Sequence, residues 1–316
     1  MKTVVLAYHE IGCAGLEFLQ QAGAEITAVF THEDDPGENL WFGSVAQRAK
    51  HYGLPVYAPA QINDPEWVEM IRACEPEILF SFYYRKLVYA NILAIPRRGC
   101  YNLHGSLLPR FRGRSPTNWA ILIGEKKTGV TLHEMVLRAD AGVIVGQKEV
   151  EIGEDDDARA VLMKQVEATR ALLAEVYPLL VQGRAPAIVQ DESLATKFGG
   201  RRPEDGEIHW GQSSESIHNL VRAVAHPWPG AFSMLRRQKC LIWRTRRYTG
   251  PASASVSEPG TAVDATADGV VVACGRGCIE ILRAQLPSGP WVEGEELKKL
   301  LAPIPGARFN VSQERP

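Results

Sequence analysis

Asn102 and His104 stand one residue apart in the stretch YNLHGSLLPRFRGRSP, Tyr101 to Pro116, which also carries three arginines and two serines. Residues at i and i+2 of an extended segment share a face. An amide donor beside an imidazole suits acyl transfer, because the amide stabilises a developing oxyanion while the imidazole moves a proton. Such an imidazole needs a third group to fix its tautomer and favour its charged form. Asp140, in VTLHEMVLRADAGVIV, is the candidate carboxylate, set in a turn between two apolar strands. The same residue reads equally well as a turn-forming aspartate before Ala141-Gly142. Ser106 lies close by, but no nucleophile-elbow pattern surrounds it, so its hydroxyl is expected to shape the loop.

Short apolar runs must position these groups. Thr3 to Tyr8, Glu25 to His32 and Glu77 to Phe82 are rich in β-branched residues and separated by helix-like segments, the pattern of βαβ units. Ligands of such sheets lie at the carboxyl ends of the strands, so the loops after Tyr8, His32 and Phe82 are candidate site walls. GCYNL, GVTLHEMV and GVIVGQKEVEI read as further strands. Leu162, Val166, Leu173, Val176 and Leu180 recur at helical spacing up to Gly183. Gly12 and Gly15 do not complete a dinucleotide-binding fingerprint and instead suggest close helix packing, so no NAD site is expected in this chain. The expected fold class is α/β: a Rossmann-like, mainly parallel sheet with helices on both faces. A change of composition at FGGRRPEDGEIHW, Phe198 to Trp210, marks a boundary. Beyond it, CLIWR, GVVVAC and CIEILRA predict a smaller β-rich, OB-like barrel. The expected domains are 1–203, catalytic; 204–305, β-rich; and 306–316, a polar tail or linker.

Composition sets limits on function. The chain has 316 residues, 45% apolar and 23% charged, with a formal net charge of -2. This is ordinary globular composition without a global electrostatic footprint for nucleic acid, and no nucleic-acid partner is expected. The start MKTVVLAYHEIG lacks a secretory pattern and no run approaches the roughly 18 apolar residues of a membrane helix, so a cytoplasmic protein without membrane contact is expected. Six scattered cysteines read as reduced thiols. Cys274 and Cys278 flank a glycine-rich hairpin turn, and no second pair has ligand spacing, so no metal is expected.

Taken together, NLHGSLLPRFRGRSP and TGVTLHEMVLRADAGVIVGQ resemble the Asn, His, SLLP and Asp elements of enzymes that use 10-formyltetrahydrofolate as formyl donor. That family includes formyltransferases for methionyl-tRNA, glycinamide ribonucleotide and nucleotide sugars. AYHEIGCAGLEFL, FTHEDDPGENLWFGSVA, FSFYYRKLVY and RAVAHPWPGAF are similar to its branch that formylates UDP-4-amino-4-deoxy-L-arabinose in lipid A modification and polymyxin resistance. The resemblance covers nearly the whole chain and is strongest over the first 235 residues. It implies a catalytic triplet of Asn102, His104 and Asp140, with Asp140 raising the pKa of a protonated His104. It also implies cofactor contacts at Lys86, Leu87 and Val88, at Arg114, and along Val136, Leu137, Arg138, Ala139 and Asp140. Strand-end backbone at 136–140 can pair with a pterin edge, and Leu87 and Val88 would supply apolar wall. Arg114 reads either as a cofactor contact or as a solvated arginine.

The implied co-substrate is 10-formyltetrahydrofolate, without metal or NAD, and the implied acceptor is a UDP-amino-sugar. Relatives in that branch continue into a decarboxylase domain, so the chain reads as an excised domain or a stand-alone protein, expected as a monomer. The Gly12 turn, the segment His32 to Trp41 and the pair Arg201/Arg202 are all open as holders of the diphosphate. A methionyl-tRNA acceptor would favour a basic loop, whereas THEDDPGENLWFG is acidic. A formyltransferase for another amino-sugar nucleotide is a further alternative. A folate-binding module without turnover would not need the full Asn/His/Asp set.

Overall fold

A computed structural model of the chain describes residues 1–34, 39–250, 257–301 and 308–310. The elements in chain order are β1 (Lys2–Ala7), α1 (His9–Gln21), β2 (Glu25–Phe30), α2 (Val45–His51), β3 (Val56–Tyr57), α3 (Pro65–Ala73), β4 (Ile78–Phe82) and α4 (Ala90–Leu93). Then come β5 (Cys100–His104), β6 (Arg112–Gly113), α5 (Pro116–Leu122), β7 (Lys127–Glu134), β8 (Ile144–Glu151), α6 (Ala158–Val181) and β9 (Lys197–Phe198). The last are α7 (Ser214–Ala223), β10 (Ala231–Leu235), β11 (Gln238–Tyr248), β12 (Ala262–Ala265), β13 (Val270–Ala273), β14 (Cys278–Gln285), β15 (Trp291–Val292), α8 (Gly294–Leu301) and β16 (Phe309–Asn310).

The chain divides into two compact units, one of 1–116, 127–151 and 161–200, the other of 117–126, 152–160 and 201–316. The boundary expected at 203/204 thus lies at Gly200/Arg201, and two inner segments, 117–126 and 152–160, join the second unit. The chain passes between the units five times.

In the first unit the strand order is β3-β2-β1-β4-β5-β7-β8. The strands from β3 to β5 are parallel, as the βαβ reading predicts. β7 runs antiparallel to both β5 and β8; between β7 and β8 the short link through Asp140 closes a tight connection where a parallel crossover needs about a dozen residues or more. Burial explains the apolar runs: Val4, Leu6 and Leu79 pack with Val68, Ile71 and Ile92 on one face, while Val5, Ala7 and Phe80 pack with Leu16, Leu19 and Leu173 on the other. Helices therefore cover both faces. Gly15 has the packing role expected of it: a Cβ there would sit 2.5 Å from the Phe82 ring.

The second unit is an antiparallel sheet in the order β12-β13-β14-β11-β10-β16, with β15 paired to β14. A bridge between Thr261 and Arg308, with Phe309 N–H donating to Gly260 C=O at 2.8 Å, links its two outer strands and curls the sheet into a barrel. Phe309 is buried and stacks on Trp210 with 5.1 Å between centroids. The described part of the expected tail is therefore strand and core, while 311–316 lie outside the described residues. Within this unit Arg222 of α7 donates to the carbonyls of Gly153 (3.0 Å) and Asp156 (2.8 Å), and Asn118 Nδ2 donates to Ala223 C=O (2.7 Å), which anchors the two inner segments. All six cysteines are free thiols, and Cys274 and Cys278 flank the β13–β14 turn.

Candidate active site

Asn102 and His104 lie on the last turn of the pleat of β5, at the carboxyl end of the parallel strands. Pairing with β7 sets Asn102 opposite His133 and His104 opposite Thr131. The Asn102 Nδ2 is 3.2 Å from His133 Nε2, and His133 Nδ1 is 2.8 Å from Glu134 C=O. A carbonyl only accepts, so the His133 proton sits on Nδ1 and its Nε2 accepts from the Asn102 amide. His104 is 6% exposed. Its Nε2 donates to Phe111 C=O at 2.7 Å, and its Nδ1 is 3.6 Å from Asp140 Oδ1. The same Oδ1 is 3.6 Å from His133 Nε2, and Oδ2 accepts from Gly113 N–H at 2.9 Å. One carboxylate therefore faces two imidazoles, with Asn102 next in the chain of contacts.

The shell around Asp140 is over-determined. Its backbone is left-handed, with φ of 59°, an uncommon state for a non-glycine residue. Gln190, only 6% exposed, holds that turn by donating to the carbonyls of Asp140 (2.8 Å) and Gly142 (2.7 Å). Its own carbonyl accepts from Arg112 Nε (3.2 Å) and Nη2 (2.7 Å), and Arg112 also grips Glu192 at 3.0 and 2.7 Å. The backbone after His104 is pinned by Gln165, whose amide donates to Gly105 C=O (2.8 Å) and Gly129 C=O (2.9 Å). Ser106 donates to Arg110 C=O at 2.7 Å, the loop-shaping role read from the sequence.

Burial and charge act in opposite directions at this pair. Burial pushes the Asp140 carboxyl up, but the neighbouring His104 and His133 rings and the Gly113 N–H together hold it below the usual carboxylate range. Burial dominates at His104 and lowers its pKa, against the opposing pull of Asp140 and of Phe111 C=O.

The remaining expected residues fall around this centre unevenly. Lys86, Leu87 and Val88 follow β4, the sheet neighbour of β5, so both segments leave the sheet at the same end. Lys86 Nζ donates to Ala60 C=O, and Leu87 C=O accepts from Asn63 Nδ2 at 2.9 Å. Leu87 is 65% exposed and available as apolar wall; Val88 turns instead into the core beside Ile92. Val136 and Leu137 are exposed, and Arg138 pairs with Glu192 at 2.9 Å, so an exposed stretch leads into the mostly buried Asp140. Ala139 is exposed as well. Arg114 follows Gly113, its N–H donating to Phe198 C=O at 3.1 Å and its side chain lying against Gly200.

Of the segments left open for a diphosphate, Gly12 lies inside α1, where a Cβ would crowd Val45 at 3.1 Å. Arg201 and Arg202 belong to the second unit, where Arg201 lies over the Trp119 ring at 5.0 Å and both bind Asp205. In the segment His32 to Trp41, residues 35–38 lie outside the described residues. The sequence reading missed His133 and Gln190. For His133 the signal was its period-two spacing from Thr131 in VTLHE, on the face toward β5. Nothing local marked Gln190. Among the described residues no helix is long and apolar enough to cross a membrane, and no cluster of His, Cys, Asp or Glu is arranged to hold a metal ion.

A family model described as Formyl transferase matches residues 6–177, and one described as Formyl transferase, C-terminal domain, matches residues 201–300. Among solved structures, the chain is similar to an N-formyltransferase from Helicobacter canadensis in complex with folinic acid and dTDP-3-aminofucose, at 18% identity and a TM-score of 0.70, over 89% of this chain and 99% of that one. It is similar to a sugar 3N-formyl transferase, at 17% identity and a TM-score of 0.69, over 92% and 99% respectively. A methionyl-tRNA formyltransferase from Clostridium thermocellum matches at 17% identity and a TM-score of 0.56, over 79% and 95%. At these identities the likeness is one of fold.

Proposed function

Since the chain belongs to the formyl transferase family, we propose that it moves a formyl group from 10-formyltetrahydrofolate to the 4-amine of UDP-4-amino-4-deoxy-L-arabinose. The observation that carries the chemistry is the set His104, Asp140 and Asn102, joined through His133 at the carboxyl end of β5. Neighbours of the same fold hold folinic acid and a dTDP-linked amino sugar, which supports a folate donor and a nucleotide-sugar acceptor. The residues expected at the folate, Lys86 to Val88, Arg114 and Val136 to Asp140, offer exposed backbone and Leu87 as wall.

In this reading the acceptor amine, as free base, attacks the formyl carbon. Asn102 donates to the oxygen that gains charge, one preorganised donor of the kind that is worth about a hundredfold in rate. His104, once Nε2 has released Phe111 C=O and the ring proton sits on Nδ1 facing Asp140, takes at Nε2 the proton that the attacking nitrogen sheds. Asp140, ionised 3.6 Å away, stabilises the imidazolium that results. That proton then leaves with tetrahydrofolate. A second acceptor, a dTDP-linked 3-amino sugar, is favoured by the neighbour that binds one.

The test is a formylation assay with 10-formyltetrahydrofolate on a panel of UDP- and dTDP-amino sugars and on methionyl initiator tRNA. Turnover of the UDP-4-amino-4-deoxy-L-arabinose is expected; efficient formylation of the tRNA with every amino-sugar nucleotide inert overturns the reading.

A further inference from the structure

A cleft of about 330 Å³ opens within the second unit, between α7, the inner segment 152–160 and the strands β11, β14 and β15. None of its residues enters the formyl-transfer chemistry derived above. Four arginines, Arg159, Arg222, Arg244 and Arg283, line it against two carboxylates, Asp155 and Asp157, in a chain whose formal net charge is -2.

The backbone is shaped to gather this charge. Successive side chains of a regular strand alternate between faces, yet Trp243, Arg244 and Thr245 all line the cleft. The register of β11 against β14 shifts on both sides of Arg244, between Ile242 and Arg244 and again between Arg244 and Thr245. Irregularities of this kind re-aim side chains and recur beside sites. The shifted register also sets Arg244 directly opposite Arg283. Like charges paired across a sheet destabilise it. Glu293 relieves Arg283, accepting from its Nε at 2.6 Å. Arg244 is exposed and has no ion-pair partner among the described residues. Arg222, 9% exposed, directs Nη1 and Nη2 at neutral acceptors, the carbonyls of Gly153 and Asp156 and the Asn219 side chain, and its Nε has no acceptor among the described residues. Neither Arg222 nor Arg244 therefore has a carboxylate in ion-pair contact. An oxyanion between Arg244 and Arg283 removes their repulsion and supplies the counter-charge, in the geometry that guanidinium groups offer phosphate.

The rest of the wall bears on what the anion is attached to. Trp243 and Trp291 lie 5.9 Å apart, tilted by 40°, and the His226 ring meets them at 6.1 and 5.4 Å, steeply inclined to both. Gln285 Oε1 fixes the Trp243 indole N–H at 2.9 Å, while Trp291 is 43% exposed. The Arg283 guanidinium lies over the Trp291 ring at 4.8 Å, so the anion end and the ring end of the cleft adjoin. Indole surface suits the C–H face of a sugar or the plane of a base, and Asp155 and Asp157 are acceptors for hydroxyls.

We propose that this cleft binds a small sugar phosphate, free or as part of a nucleoside monophosphate, with Arg244 and Arg283 holding the phosphate monoester and Trp243 and Trp291 covering the group attached to it. The site does not depend on the formyl-transfer reading. It is tested by calorimetric titration of the full chain, at a physiological salt concentration of about 0.15 M, with glucose 1-phosphate, UMP and inorganic phosphate, and with glucose and uridine as controls lacking the anion. The esters should bind more tightly than inorganic phosphate, and the controls should not bind. Arg244→Ala should weaken the esters by about tenfold or more, as loss of a charged hydrogen bond does. Trp291→Ala should weaken them by about fivefold and leave inorganic phosphate unchanged. Arg247→Ala, which removes a charge from the same strand outside the cleft, should bind as the parent does. Without ligand, Arg244→Ala should melt no lower than the parent, because it relieves the like-charged pair, whereas loss of a packing residue would lower the midpoint.

Binding of one ester alone, lost in Arg244→Ala, identifies which of the two sources the site takes. Parental affinity for the esters in Arg244→Ala assigns them to another site and overturns the proposal, as does the failure of both esters to bind, or binding of inorganic phosphate alone.

Discussion

The two imidazoles around Asp140 divide the work between position and chemistry. His133 is anchored by the Glu134 carbonyl at 2.8 Å and serves Asn102, whereas His104 is buried, with Nε2 on Phe111 C=O and Nδ1 toward Asp140. His104→Ala and Asn102→Ala should each lower kcat by about a hundredfold or more with donor KM little changed, read from steady-state kinetics. Asp140→Asn keeps the left-handed turn, since Asn tolerates that region, but removes the charge; it should lose activity to a similar degree while the thermal midpoint holds. A parental rate in Asp140→Asn would reduce Asp140 to a turn residue. Acid stability follows from another histidine. Burial, with the charge of Arg85, lowers the His9 pKa to about 3 against an ordinary value of 6.5. Between those values the unfolded chain binds a proton that the folded chain does not. Stability should therefore be complete above pH 6.5 and fall as pH drops through that window. Urea midpoints at pH 7.5 and 5 check this, and His9→Asn, which suits the φ of 68° at that position, should flatten the slope.

At the level of elements, packing explains what was legible. β1, β2, β4, β5, β8 and α6 left a period in the sequence because each buries a continuous face. The two-residue strands β3, β6, β9 and β15 are too short to leave one. That Asn102, His104 and Asp140 come close together was legible from residue type and from a family resemblance. His133 was not, because its role depends on the register that sets it opposite Asn102, and register is a non-local property. Gln190 acts on Asp140 from fifty positions away, beyond any local pattern. The lowering of the His104 pKa by burial was equally out of reach, since burial is decided in three dimensions. Gly15 offers the test at this scale: Gly15→Ala would drive a methyl to 2.5 Å from the Phe82 ring, between α1 and β4. It should destabilise the fold by about 1–3 kcal/mol, as overpacking does, measured by chemical denaturation.

For the whole molecule, the division of the chain matters more than its length. A chain ended at residue 203 keeps Asn102, His104, Asp140 and Gln190 but deletes Arg222 and Ala223, which hold the carbonyls of Gly153 and Asp156 and the Asn118 amide. Such a fragment should melt at least several degrees below the full chain and be cut by protease within 117–126 and 152–160, whatever activity it retains. The five passages of the chain between the units also bear on inheritance. A single recombination at residue 200 would join a foreign 201–316 to native segments at 117–126 and 152–160 that it did not evolve beside. Neither unit can be exchanged between relatives as one contiguous cassette. New acceptor or donor preferences in this architecture should therefore arise by substitution within a lineage, or by swaps that carry all three pieces of a unit together.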